Sequence, residues 1–179
     1  MQQVASGNNL STIAKSVGGN QNQVQSALGM AVPMLMGSMA NSSSTPGGAD
    51  MLTKMMGQMG TSNPADNVGS YLSNPQAAGG SGMVNSLLGS QMAPIQNAIA
   101  QKTGLPPAAV GQVLAIAAPM VMGHVSKMFA GQKMTQQGLS STLAEHSKKA
   151  MQASPEAANM SKQFLAQPKK SWRQRLFRS

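Results

Sequence analysis

Displaced by 86 positions, residues 13–37 of this chain fall on residues 99–123 without a gap, and ten of the 25 aligned pairs are identical. The identities are Ile13/Ile99, Ala14/Ala100, Gly18/Gly104, Val24/Val110, Leu28/Leu114, Ala31/Ala117, Pro33/Pro119, Met34/Met120, Met36/Met122 and Gly37/Gly123. An Ala- and Met-rich composition yields chance matches, but not glycines and prolines in register. The match therefore predicts two copies of one supersecondary unit, and this limits the fold more than any other feature.

Each copy reads as a short helix, a tight turn and a long helix. In the first, Leu10, Ile13, Ala14 and Val17 recur at helical spacing. Gly18 then suits a left-handed C-terminal cap, and Asn20 suits an N-cap. In the second, Ile95, Ala98 and Ile99 lead to Gly104. Pro106 and Pro107 follow, where a first-turn proline costs no hydrogen bond. The long helices are apolar on every side. Val24, Leu28, Ala31, Leu35 and Met39 form one stripe, matched by Val110, Leu114, Ala117, Val121 and Val125. Met30, Met34 and Gly37, with Ile116, Met120 and Gly123, form a second stripe in each copy. Helices apolar all round are buried central helices. Pro33 and Pro119 inside them predict a kink, or a break and restart. Four residues back, where the proline ring meets a carbonyl, stand the small Gly29 and Ala115, leaving room for a neighbouring helix.

A further helix is predicted after each unit, around Met51, Leu52, Met55, Met56 and Met59, and around Leu139, Leu143 and Met151 with Thr135 or Ser140 as cap. Residues 61–82 are rich in Ser, Asn, Gly and Pro. Within them Asn63-Pro64-Ala65-Asp66 predicts the start of a short helix, and Gly79-Gly80-Ser81-Gly82 a flexible turn. Ser154-Pro155-Glu156 opens a last helix towards Phe164. No strand pattern is present. The expected fold is all-α and multihelical, with two tandem helix–turn–long kinked helix units packed into one body. The first repeat covers 8–60, a connector 61–82, the second repeat 83–152, a C-terminal helix 153–167 and a basic aromatic tail 168–179.

The core this implies is unusual, because 17 Met stand against one Trp, one Tyr and three Phe. Methionine fills irregular gaps, so such a core is plastic. There is no Cys, which excludes disulfides and thiolate metal sites. Residues 1–15 have neither the basic start nor the apolar stretch of a secretory signal. The longest apolar run, 113–122, is too short to span a bilayer. A cytoplasmic location is expected. The net charge of +9 is uneven. Residues 1–160 carry seven Lys against four acids, whereas residues 161–179 carry six cations and no acid.

The residue pattern resembles the bacterial YidB-like family, a domain family of unknown function. The resemblance rests on a Gly-rich lead into Leu87-Leu88-Gly89, then Ile99-Ala100, Gly104-Leu105, and residues 114–123 with Ala-Pro-x-x-x-Gly at 118–123. The first copy repeats it as Ile13-Ala14, Gly18, Leu28, and Val32-Pro33 to Gly37. It covers roughly Leu10 to Met151. The resemblance implies a multihelical fold with an internal duplication and no catalytic residue. Pro106-Pro107 stands where a Ser or Thr cap is more usual, and the tail from Pro168 is unlike the family.

Catalysis needs titratable or nucleophilic groups brought together, and the chain offers two His and four acids. His146 and Glu145 are neighbours that point about 100° apart on a helix and form no dyad. His146 reads as a solvated helix residue, His124 as a partly buried or interface one. No nucleophile elbow, P-loop or dinucleotide fingerprint occurs, so no enzyme and no cofactor is expected. Met34/Met36, Met120/Met122/His124 and Met55/Met56/Met59 suggest Cu(I), but residues two apart on a helix do not share a face; Met55 with Met59, or Met36 with Met39, could share one, and core packing explains the same residues. Specific nucleic-acid binding is not expected either. No Lys or Arg lies between Lys15 and Lys54 or between Lys102 and Lys127, so the long helices offer nothing basic to a groove.

The tail is the sharpest local feature. Lys169 and Lys170 precede Trp172, Arg173, Arg175, Leu176, Phe177 and Arg178, which interleave cations with apolar side chains. Three roles fit: a docking peptide with Trp172 and the arginines as anchors, contact with an anionic membrane surface, or a solvated end. The function expected is that of a non-catalytic interaction or scaffold protein. It would self-associate or dock a protein partner through a Met-rich apolar surface or the tail. A peripheral membrane protein and a weak, non-specific nucleic-acid binder are the alternatives.

Overall fold

The computed structural model describes residues 7–58, 64, 66–74, 79–129 and 135–165. These form α1 (Gly7–Val17), α2 (Gln21–Ser43), α3 (Gly48–Gln58), α4 (Val68–Ser73), α5 (Gly80–Leu88), α6 (Met92–Thr103), α7 (Pro107–Met128), α8 (Gln136–Gln152) and α9 (Pro155–Phe164), with a single 3-10 turn at Gly89–Gln91 before α6. No strand occurs among the described residues, and the fold is all-α as expected.

The local signals act where the sequence places them. Gly18 and Gly104 both lie in the left-handed region, at φ 73° and 72°. The Gly104 N–H closes α6 on the Ala100 carbonyl at 2.8 Å. Asn20 and Gln23 form a reciprocal capping box. The Gln23 N–H donates to Asn20 Oδ1 at 2.9 Å, and the Asn20 N–H donates to Gln23 Oε1 at 3.1 Å. Thr135, rather than Ser140, caps α8 by accepting from the Gly138 N–H at 3.1 Å. The Ser140 hydroxyl instead meets that of Ser44 at 3.0 Å.

The two long helices are the centre. α2 and α7 pack on each other. α2 also touches α1, α3, α5, α6, α8 and α9, and α7 touches α1, α3, α5 and α6. Both stripes predicted for each helix are buried, apart from a half-buried Gly37. α8 follows α7 in the chain yet lies mainly along α2, while α5 lies mainly on α7. Neither long helix breaks at its proline. Each runs through without interruption.

A proline has no N–H to give the carbonyl four residues back. For Pro119 that carbonyl belongs to Ala115, and Tyr71 of α4 answers it. The buried Tyr71 hydroxyl donates to the Ala115 and Ile116 carbonyls at 3.3 Å and 3.2 Å. Burial pushes the Tyr71 phenol well above its ordinary pKa, so it stays a donor. Gly80, the first residue of α5, comes so close that a Cβ there would run into the Ala115 carbonyl. At its other end α5 is held by Ser38 of α2, whose buried hydroxyl donates to the Leu87 carbonyl at 2.5 Å.

The region between the long helices departs from expectation in two places. Its short helix starts at Val68, capped by Asn67, which accepts from the Ser70 N–H at 3.1 Å. Asp66, expected in the first turn of that helix, instead pairs with Lys127 of α7. Gly80, Ser81 and Gly82, expected in a flexible turn, form the first turn of α5. Contact with α7 outweighs the low helix propensity of glycine here. α7 as a whole is long and apolar enough, by length and composition, to cross a membrane. Its most apolar window has mean hydropathy 1.6, but 72% of that window is buried within the chain.

Tyr71→Phe leaves two buried carbonyls without their side-chain donor. It is expected to lower unfolding free energy by about 1–3 kcal/mol. Gly80→Ala, which in an open helix adds about 0.5–1 kcal/mol, should here destabilise. Urea unfolding of the two variants beside the parent checks both. A stable Gly80→Ala would show that α5 does not seat on Ala115.

Candidate docking groove

The proline face of α7 is closed by α4 and α5. The register-matched face of α2 is not. Ala115 is half-buried and Ala118 buried, whereas their counterparts Gly29 and Val32 are exposed and half-buried. An ideal Cβ at Gly29 has no neighbour within 4 Å. The result is an open groove of about 730 Å³. Its floor is α2, with Gln25, Ser26, Gly29, Val32 and Pro33. Its walls are the end of α8 (Ala150, Ala153), the start of α9 (Ser154, Glu156), and Lys102 of α6.

The walls follow from local chemistry. Ser154 caps α9 by accepting from the Ala157 N–H at 3.4 Å, so the chain turns sharply between α8 and α9 at the groove's edge. α9 then runs along α2 and brings Leu165 over Gly37. There an added Cβ would lie 2.9 Å from Leu165 Cδ1 and 2.8 Å from Met151 Cε. Lys102 and Glu156 give the rim one charge of each sign. The floor is mainly apolar side chain and helix backbone, with the polar Gln25 and Ser26 beside them, which suits an apolar ligand with few polar groups.

The other candidates are less suggestive. A depression of about 670 Å³ at the α6–α7 turn is lined by Asn97, Ala100, Gln101, Gly104, Leu105, Pro106 and Pro107, with no titratable side chain. Met34, Met36, Met120 and Met122 are buried in the core, as packing methionines are. Among the described residues no three His, Cys, Asp or Glu form a cluster that could hold a metal ion. His124 is half-buried, as the sequence suggests. His146 is half-buried rather than fully solvated. It lies on α8 beside the buried Leu143 and Ser147, so laying α8 along α2 covers it in part. Burial, with the nearby positive charges of His146 and Lys127, lowers the His124 pKa. Glu145 turns away from its neighbour His146 and pairs with Lys149 at 2.7 Å. The predicted docking residues Trp172, Arg173, Arg175, Leu176, Phe177 and Arg178 lie outside the described residues.

The groove was half legible. The small residues facing each proline signal room for a neighbour, and on α7 that neighbour is α5. That the same room stays open on α2 depends on which helix lies over which of the two long helices, and no local motif encodes this.

A family model described as a bacterial protein of unknown function (DUF937) matches residues 1–128, in agreement with the YidB-like resemblance. No curated protein and no solved structure matches the chain.

The His124 environment has a consequence for stability. Between the ordinary histidine value of about 6.5 and the lower folded value, the unfolded chain binds more protons than the folded one. The contribution of His124 is therefore full above that window, declines as the pH falls through it and is level below it. Urea midpoints at about pH 7.5 and about pH 5 should show a drop that is smaller in His124→Gln. An equal drop in the variant would rule out His124 as its source.

Proposed function

The chain belongs to the DUF937 family of bacterial proteins of unknown function, and from its own surfaces we propose that it is a non-catalytic interaction or scaffold protein of the cytoplasm. The observation that supports this most directly is the open groove on α2 at Pro33. It has a mainly apolar floor and offers helix backbone to a ligand, while the matching face of α7 is filled from within. A buried methionine-rich core beneath it lets the groove adjust to its occupant. In this reading the register of 86 residues records a duplication. Like turns at Gly18 and Gly104, and like placement of Pro33 and Pro119 within long helices, support it. The two copies then diverged in what covers them, one closed for stability and the other left open for docking.

Gly29→Arg tests the docking reading, because the position has space for a side chain and arginine favours helix. Light scattering should reveal self-association, or affinity capture should recover a partner whose complex re-forms from purified components. Either contact should resist salt and be lost in Gly29→Arg. A strict monomer with no partner would overturn the proposal. So would a contact that weakens steeply with salt and disappears on deleting residues 166–179 alone. That outcome favours the alternatives of an anionic membrane surface or non-specific nucleic acid bound through the tail.

A further inference from the structure

We infer that the groove on α2 is the docking site of the chain's own C-terminal segment, residues 166–179, with the Trp172 indole seated against Gly29 and Pro33. This rests on reading the groove as a docking surface and names its resident occupant. Three observations converge on it.

The first is how the chain treats its other buried-helix proline. Against Pro119 it places an aromatic side chain that carries a hydrogen-bond donor, and Tyr71 reaches the Ala115 and Ile116 carbonyls. Pro33 equally withholds an N–H from Gly29, yet no described residue fills the space over Gly29. The second is the supply of such side chains. The chain has one Tyr and one Trp. With Tyr71 committed to α7, Trp172 is the remaining side chain of this kind, and its indole N–H only donates. In a helix, Leu176 would share a face with Trp172 and Phe177 would lie beside it, so the segment can add apolar area.

The third is reach. The described chain ends with Leu165 packed over Gly37 of α2. Gly37, Pro33 and Gly29 follow one another at four-residue steps along one helix face, so Gly29 is about 12 Å from Gly37. Trp172 lies seven steps along the chain from Leu165, which span up to about 23 Å when extended. The segment therefore starts beside the groove and is long enough to lie back along it. Charge is close to neutral in its effect, since Glu156 favours the tail's cations and Lys102 opposes them. Apolar burial of the indole and its hydrogen bond carry the contact. A partner that uses the groove must then displace the tail, and removing the tail should tighten partner binding.

Trp172 is the chain's single tryptophan, so the fluorescence of the full-length protein reports on it alone. The expected emission is blue-shifted from free tryptophan, poorly quenched by acrylamide and independent of protein concentration. Gly29→Arg should return both emission and quenching to free-tryptophan values with the far-UV circular dichroism unchanged. Ser26→Arg, at an exposed position on the groove floor, should do the same and serves if the first variant fails to fold. Free-tryptophan behaviour in the parent would overturn the proposal. So would a blue shift that survives both substitutions, or one lost on dilution, which places the tail in a second copy. A shift seen only with vesicles of anionic phospholipid would overturn it in favour of a membrane. A protected Trp172 without any captured partner would refute the partner reading alone. An exposed Trp172 with capture abolished by Gly29→Arg would refute the tail alone.

Discussion

A proline in the middle of a buried helix leaves one carbonyl without its backbone donor, and the arrangement of this chain is organised around that deficit. At Pro119 the deficit lies inside the protein, where an unpaired carbonyl costs about 1–3 kcal/mol. The Tyr71 hydroxyl meets it, and Gly80 lets α5 approach to backbone contact. Those two contacts fix the region between the long helices against α7. The opposite end of α5 is tied to α2 through Ser38. One short helix thus joins the two halves through backbone and hydroxyl groups, where apolar packing alone would leave its register loose.

This explains why the sequence is legible in some places and not in others. Gly18, Asn20, Gly104, Pro107, Thr135 and Ser154 act within a turn of themselves, and each was readable because its partner is a near neighbour. The apolar stripes were readable because burial on all sides leaves no other pattern. Gly80 misled because its composition belongs to a loop while its conformation answers to Ala115, which is far away in sequence. Asp66 misled likewise, since Lys127 holds it outside the helix it was expected to begin. Ser38 gave no signal at all. A single hydroxyl in an apolar run is invisible until the carbonyl it serves is placed.

Helix exchange between the two halves is the other feature that local reasoning misses. α8 follows α7 but lies along α2, with its buried residues Leu139, Leu143 and Ser147. α5 precedes α6 but lies on α7. Each long helix therefore has a different cover, although the stretches themselves match in Gly, Pro and Met. α8 ends at Gln152, Ala153 caps it and the chain turns into α9, leaving Gly29 uncovered. The groove is the gap between the end of one helix and the start of the next.

That origin bears on what the groove can do. A depression that results from imperfect packing is lined by side chains that relax into it, and in a methionine-rich core they would do so readily. Here the floor is the backbone of α2 at Gly29, and backbone in a helix cannot collapse inwards. The walls are held by the Ser154 cap on one side and by Leu165 and Met151 against Gly37 on the other. The gap is therefore framed by rigid elements and floored by a position where a helix-weakening glycine stands beside a proline. Together those two residues cost helix stability. Pro33 itself is buried, but Gly29 is exposed and no described atom lies within 4 Å of where its Cβ would stand, so nothing described closes over it as Tyr71 does at Ala115. On the proposed docking reading, an occupant with an apolar face and a hydrogen-bond donor would recover that cost.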